Sequence, residues 1–141
     1  MAYEKNMEFS RTEEGENYQL YILELMAKNS IQSGKYDQAK EYLDIGEEIC
    51  LQDEEKRKKG YATIQSLKAE YFKHNKEPEE AIICLEKAAA VFKEIHGDFS
   101  DQYANALYHI SKLYDAKKDI ELALQYLNEA IRNLEFKHSY I

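Results

Sequence analysis

The stretch YDQAKEYLDIGEEIC, Tyr36–Cys50, decides the fold because its pattern returns twice, as PEEAIICLEKAAAVF, Pro78–Phe92, and as IELALQYLNEAIRNL, Ile120–Leu134. Ala39, Ala81 and Ala123 stand 42 residues apart. The same offsets then bring Leu43, Leu85 and Leu127, next Gly46, Ala88 and Ala130, and last Cys50, Phe92 and Leu134. Steps of four, three and four residues hold these positions on one face of an α-helix, with small and large side chains alternating along it. Three copies in register identify an internal repeat, which sets the architecture before any single element does.

Working outward, a second helical segment lies upstream of each copy, with Ala27, Ala69 and Ser111 in register and Ser30, Phe72 and Tyr114 three residues later. A small residue on this first helix and another opening the second let the two cross closely, while large residues fill the gaps beside them. Each repeat therefore reads as a helical hairpin. The breaks agree: Ser33-Gly34-Lys35, Asn75-Lys76-Glu77-Pro78 and Lys117-Lys118-Asp119 separate the two helices of each pair, with Gly and Pro where helix ends favour them. Between repeats, Gly97-Asp98-Phe99-Ser100 is a stop followed by an N-cap, whereas Asp53–Gly60 is a charged run, read as a solvated helix end rather than a basic docking patch. The boundaries that follow are 15–54, 55–98 and 99–141 for the three repeats, with 1–14 as an N-terminal segment.

These residues resemble the tetratricopeptide repeat (TPR), whose second helix opens with a turn glycine, an aromatic residue, a small residue three later and a large one four after that. Gly34, Tyr36, Ala39 and Leu43 match well; Pro78, Ala81, Leu85 and Ala88 match less closely; Ile120, Ala123, Leu127 and Ala130 follow a turn where Lys118 replaces the glycine. The resemblance covers about nine tenths of the chain and implies an all-α fold, a right-handed α-solenoid of three antiparallel helix pairs. The common repeat has about 34 residues, so a period of 42 is similar to the longer helices of kinesin light chains and of the bacterial Rap and PlcR-like peptide-sensing regulators. In the second copy Gln65 and Lys68 stand where large apolar residues are wanted, with Ile64 and Leu67 one position earlier. That first helix is expected to be rotated or shifted.

Stacked hairpins expose their first helices on a concave surface that an extended or helical peptide can occupy. Tyr21, Glu24, Lys28 and Ile31 are the expected lining in the first copy, Ser66, Glu70 and Lys73 in the second, and Asn105, Tyr108, His109 and Lys112 in the third. Asn105 can hydrogen-bond a peptide backbone both ways, and Tyr108 offers rigid apolar area with a polar tip. Chaperone-binding members of the family grip a C-terminal carboxylate with Lys, Arg and Asn on first helices. Glu24, Ser66 and Tyr108 hold corresponding places here, so binding of Hsp70 or Hsp90 tails is not implied.

Composition narrows the function. Twenty-seven acidic against 19 basic side chains give a net charge of −8, which repels a phosphate backbone and makes nucleic acid a poor partner. No apolar run reaches a membrane-spanning length, and Met1–Ser10 has no secretory core, so a cytoplasmic location away from membranes is expected. Cys50 and Cys84 fall within apolar helical patterns and read as buried thiols. Motifs for nucleotide, acyl or metal chemistry do not occur, the histidines at 74, 96, 109 and 138 lie in different repeats, and paired acids such as Glu79-Glu80 are neighbours rather than partners across a cleft. The expectation is a non-enzymatic module with neither cofactor nor metal, binding a protein or peptide; the alternative is the peptide-sensing half of a Rap/PlcR-like regulator. Tyr3, Met7 and Phe9 resemble the tail of a preceding repeat, and Leu134, Phe136, Tyr140 and Ile141 carry apolar character to the other end, so self-association through exposed repeat ends is also expected.

Overall fold

Ala39, Leu43, Gly46 and Cys50 are all buried on one face of a single helix, Tyr36–Gln52, as their spacing requires. The computed structural model describes residues 13–97 and 100–139, which form six helices and no strand. In chain order these are α1 (Glu13–Gln32), α2 (Tyr36–Gln52), α3 (Lys58–His74), α4 (Pro78–His96), α5 (Asp101–Ala116) and α6 (Ile120–Ser139). They pair as α1 with α2, α3 with α4 and α5 with α6, and the pairs are joined by packing of α2 on α3 and α4 on α5. The architecture is an α-solenoid of helix pairs. Expectations placed on Met1–Ser10, Asp98, Phe99, Tyr140 and Ile141 lie outside the described residues, as do the side chains of Phe136 and His138.

The three turns within repeats are copies of one another. Gly34, Lys76 and Lys118, 42 residues apart, all have a left-handed backbone, with φ of 76°, 60° and 64°. At each, the following amide reaches back five residues, Lys35 to the Ser30 carbonyl, Glu77 to Phe72 and Asp119 to Tyr114, at 2.8–2.9 Å. This closes the last turn of the first helix and satisfies a carbonyl that the helix end would otherwise orphan. Glycine is therefore not needed to form the turn, only to form it without strain. Ser100 caps α5, its hydroxyl accepting from the Tyr103 amide at 3.1 Å, and Asp119 accepts from the Leu122 amide at the start of α6.

The first helix of the second pair is not rotated, contrary to expectation. Ala62, Gln65 and Ala69 are buried at the positions held by Leu20, Leu23 and Ala27 in α1 and by Ala104, Leu107 and Ser111 in α5. The register survives because the polar residues find a partner. Gln65, 1% exposed, donates to the Glu47 carboxylate of α2 at 2.6 Å, and Lys68 reaches the same oxygen at 2.8 Å. Partial burial acts to raise the Glu47 pKa, but the hydrogen bonds from Lys68 and Gln65 prevail and hold it below the usual carboxylate range. Ile64 is fully buried as well, and Gly46 leaves it room: a Cβ there would stand 2.7 Å from the Ile64 Cδ1 atom.

The charged run after α2 also differs from a simple solvated end. Arg57 is 8% exposed and its guanidinium donates to the Ile49 carbonyl, so a cation satisfies the C-terminal end of α2. Lys58 pairs with Glu94 of α4 at 2.6 Å and with Glu55 at 3.3 Å. Cys50 and Cys84 are buried free thiols; burial pushes Cys50 up to about 11 and raises Cys84, which favours the protonated thiol at both.

Candidate functional site

Helix α1 packs directly on α3, but α3 and α5 make no comparable contact along their lengths. The space left between them is a cavity of about 260 Å³. Its floor is apolar, formed by Leu67 of α3, Leu85 and Phe92 of α4 and Ala106 of α5. Its rim is polar: Ser66 and Glu70 from α3, and Gln102, Asn105 and His109 from α5. Helical spacing explains the rim, since 66 and 70 on one helix, and 102, 105 and 109 on the other, each fall on one face.

His109 is half-buried, and burial lowers its pKa, with the Glu70 carboxylate pulling the other way and Lys112 and Lys73 adding to the depression. A neutral imidazole can donate from one nitrogen and accept at the other. Asn105 and Glu70 are exposed and Ser66 is partly buried, its hydroxyl turned back to the Ala62 carbonyl at 3.0 Å. An amide, an imidazole and a carboxylate above an apolar floor can hold a short chain carrying both backbone polar groups and an apolar side chain.

The eleven expected lining residues do not form one continuous surface. Ser66, Glu70, Asn105 and His109 meet in the α3–α5 cavity. Tyr21 and Glu24 line a separate depression of about 220 Å³ between α1 and the start of α3, opposite Lys56, Arg57 and Lys59. Burial lifts the Glu24 carboxyl to about 7, against the pull of Lys59. Tyr108 and Lys112 face the other way, toward α6, where Tyr108 lines a trough of about 610 Å³ with Leu127, Ile131 and Leu134; Asn105 borders both this trough and the cavity. The Lys112 ammonium sits 5.5 Å from the centre of the Tyr108 ring. Lys28 and Lys73 are exposed, and Ile31 is partly buried.

The cavity floor and Gln102 were missed from sequence. Gln102 lies three residues before Asn105, a spacing that could have found it. Leu67 stands one position before the place where the repeat pattern wants a large apolar residue. Among the described residues no group of His, Cys, Asp or Glu is arranged to hold a metal ion, and no helix is long and apolar enough to cross a membrane.

Residues 60–135 match the family model described as tetratricopeptide repeat, a span of just over half the chain. No curated protein and no solved structure matches the chain. Repeats of this kind generally mediate protein–protein interaction. With helix pairs in register at every turn and buried crossing, and with the family model matched across the second and third pairs, this chain belongs to the tetratricopeptide repeat family.

Proposed function

We propose that this chain is a non-enzymatic interaction module that binds an extended segment of another polypeptide between its first helices, in the cavity bounded by α3 and α5. The observation that carries this reading is the gap itself. At the second junction the first helices stand apart and leave an apolar floor of Leu67, Leu85 and Phe92 under a rim of Glu70, Asn105 and His109, where at the first junction α1 contacts α3 and leaves only the charged depression beside Lys56, Arg57 and Lys59. One apolar side chain of the ligand fills the floor, its backbone pairs with Asn105 and Gln102, and Glu70 favours a basic neighbour. The test is a pull-down read by mass spectrometry, comparing the native chain with a Glu70→Lys, Asn105→Ala double variant. Partners lost in the variant place binding in this cavity; the same partners with both place it elsewhere.

The 42-residue period, repeated by the left-handed turns at Gly34, Lys76 and Lys118, favours a second reading as the peptide-sensing part of a Rap/PlcR-like regulator. A short secreted peptide that raises the melting temperature of the native chain and not of the double variant would support it. Contacts between copies of the chain at the exposed repeat ends would be a separate activity, resting on exposed apolar residues of α1 and α6 rather than on Glu70 and His109.

A further inference from the structure

Some side chains buried in the middle of the solenoid have exposed counterparts at its ends. On the first helices, Ile64 is 0%, Ala106 3% and Ile110 0% exposed, all turned toward the preceding pair, while in register with them Ile22 and Met26 of α1 are 36% and 38% exposed. On the second helices, Ile82, Leu85, Ala89 and Phe92 of α4 are 5–9% exposed beneath α5. Their counterparts on α6 are open: Leu124 is 50%, Ile131 43% and Leu134 38% exposed, with Leu127 partly buried. Isolated exposed apolar residues need no explanation, but two sets related by the repeat do.

We propose that copies of this chain associate head to tail, the α1 face of one seating on the α6 side of the α5–α6 face of the next as α5 seats on α4 within the chain. The interface already present between the second and third pairs supplies the pairing. Ile110 shares an apolar cluster with Ile82 and Leu85, and Ala106 shares one with Ala89 and Phe92. Moved by one repeat, these become Met26 of one copy against Leu124 and Leu127 of the next, and Ile22 against Ile131 and Leu134. The trough of about 610 Å³, with Ala104 and Ala130 among its lining residues, has room for the Ile22 side chain, which is larger than the Ala106 it replaces. Adjacent pairs in the chain are joined from a second helix to the following first helix, α2 to α3 and α4 to α5, so head-to-tail contact continues an existing interface and tail-to-tail contact does not. Such a contact uses different surfaces on the two copies and does not close on itself in a dimer, so it propagates into a series or a ring. The net charge of −8 on each copy opposes it, and added salt should therefore strengthen it. The proposal is independent of peptide binding between α3 and α5.

Sedimentation of end-blocked variants tests it. Ile22→Glu with Met26→Lys blocks the α1 end, and Ile131→Glu with Leu134→Arg blocks the α6 end; these positions are all at least 36% exposed, and retained helical circular dichroism checks that each variant folds. The native chain is expected to gain mass with concentration, and each variant alone to remain a monomer. An equal mixture should form a species of twice the monomer mass, since one intact end of each kind remains. A monomeric native chain, a monomeric mixture, or a variant that dimerises alone through its one intact end would each overturn the head-to-tail assignment.

Discussion

At the scale of single residues, the left-handed turn positions are the clearest case of conformation imposed by the repeat on an unsuited side chain. Lys76 and Lys118 occupy the backbone that Gly34 adopts freely, and a side chain there costs about 1–2 kcal/mol against an ordinary helical conformation. Lys118→Gly should therefore stabilise the chain by about 0.5–1 kcal/mol, after the greater freedom of glycine in the unfolded state is set against the relieved strain. Urea denaturation measures this, and a destabilised variant would mean that the lysine stem contributes packing at the turn. Glu24 gives a prediction in pH. Its carboxyl titrates at about 7 in the folded chain against an ordinary 4.5, so between these values the native state holds a proton that the unfolded state has released. Its contribution is whole below 4.5 and is lost as the pH rises through 7. Glu24→Gln keeps the neutral form, so its melting temperature should exceed that of the native chain at about pH 8 and converge with it at about pH 4. The gap corresponds to roughly 1 kcal/mol, because solvent reaches part of the side chain. A constant gap across the range would place the burial of this carboxyl in doubt.

At the scale of elements, the small residues that begin each second helix set the distance of the helix crossing. Ala81 is 0% and Ala123 8% exposed; replacing either by Leu should cost about 1–3 kcal/mol by overpacking, with Ala81 the more sensitive. The helix pairs and their crossings were legible in sequence because the small and large residues recur in a fixed order, and three copies outweigh the exceptions in any one. The Glu47, Gln65 and Lys68 contact was not legible, since its members lie 18 and 21 residues apart on different helices and each looks polar, hence exposed, when taken alone. Their counterparts one repeat later are Ala89, Leu107 and Ile110, all buried, so the chain contains both a polar and an apolar solution to the same junction. Glu47→Ala alone should cost about 2–3 kcal/mol by leaving the buried Gln65 amide and the partly buried Lys68 ammonium without their acceptor. The triple change Glu47→Ala, Gln65→Leu, Lys68→Ile copies the apolar junction and should recover most of that loss, as measured by chemical denaturation. Failure to recover would show that the two junctions differ in spacing as well as in chemistry. The candidate cavity was legible only in part for the same reason: the rim residues follow helical spacing, but the separation of α3 from α5 is a property of packing between elements that no single helix pattern encodes.

At the scale of the whole molecule, a solenoid has no single core. Stability is a sum over neighbouring pairs, and the middle pair has a neighbour on each side. Helices α4 and α5 each bury seven residues, whereas α1 and α6 carry the exposed Ile22, Met26, Leu124 and Ile131. Amide hydrogen exchange on the dilute chain should therefore be slowest in α3, α4 and α5 and faster in α1 and α6, following the local opening of the end pairs. The same measurement separates the two proposed modes of binding, because each would protect different helices. A peptide seated between α3 and α5 should slow exchange around Glu70, Asn105 and His109 and leave α1 almost unchanged. Head-to-tail association should instead slow α1 and α6 together as concentration rises, with α3 and α4 little affected. Uniform exchange over all six helices at low concentration would mean that the chain opens as one unit, and that the end pairs are held by more than the packing of one neighbour.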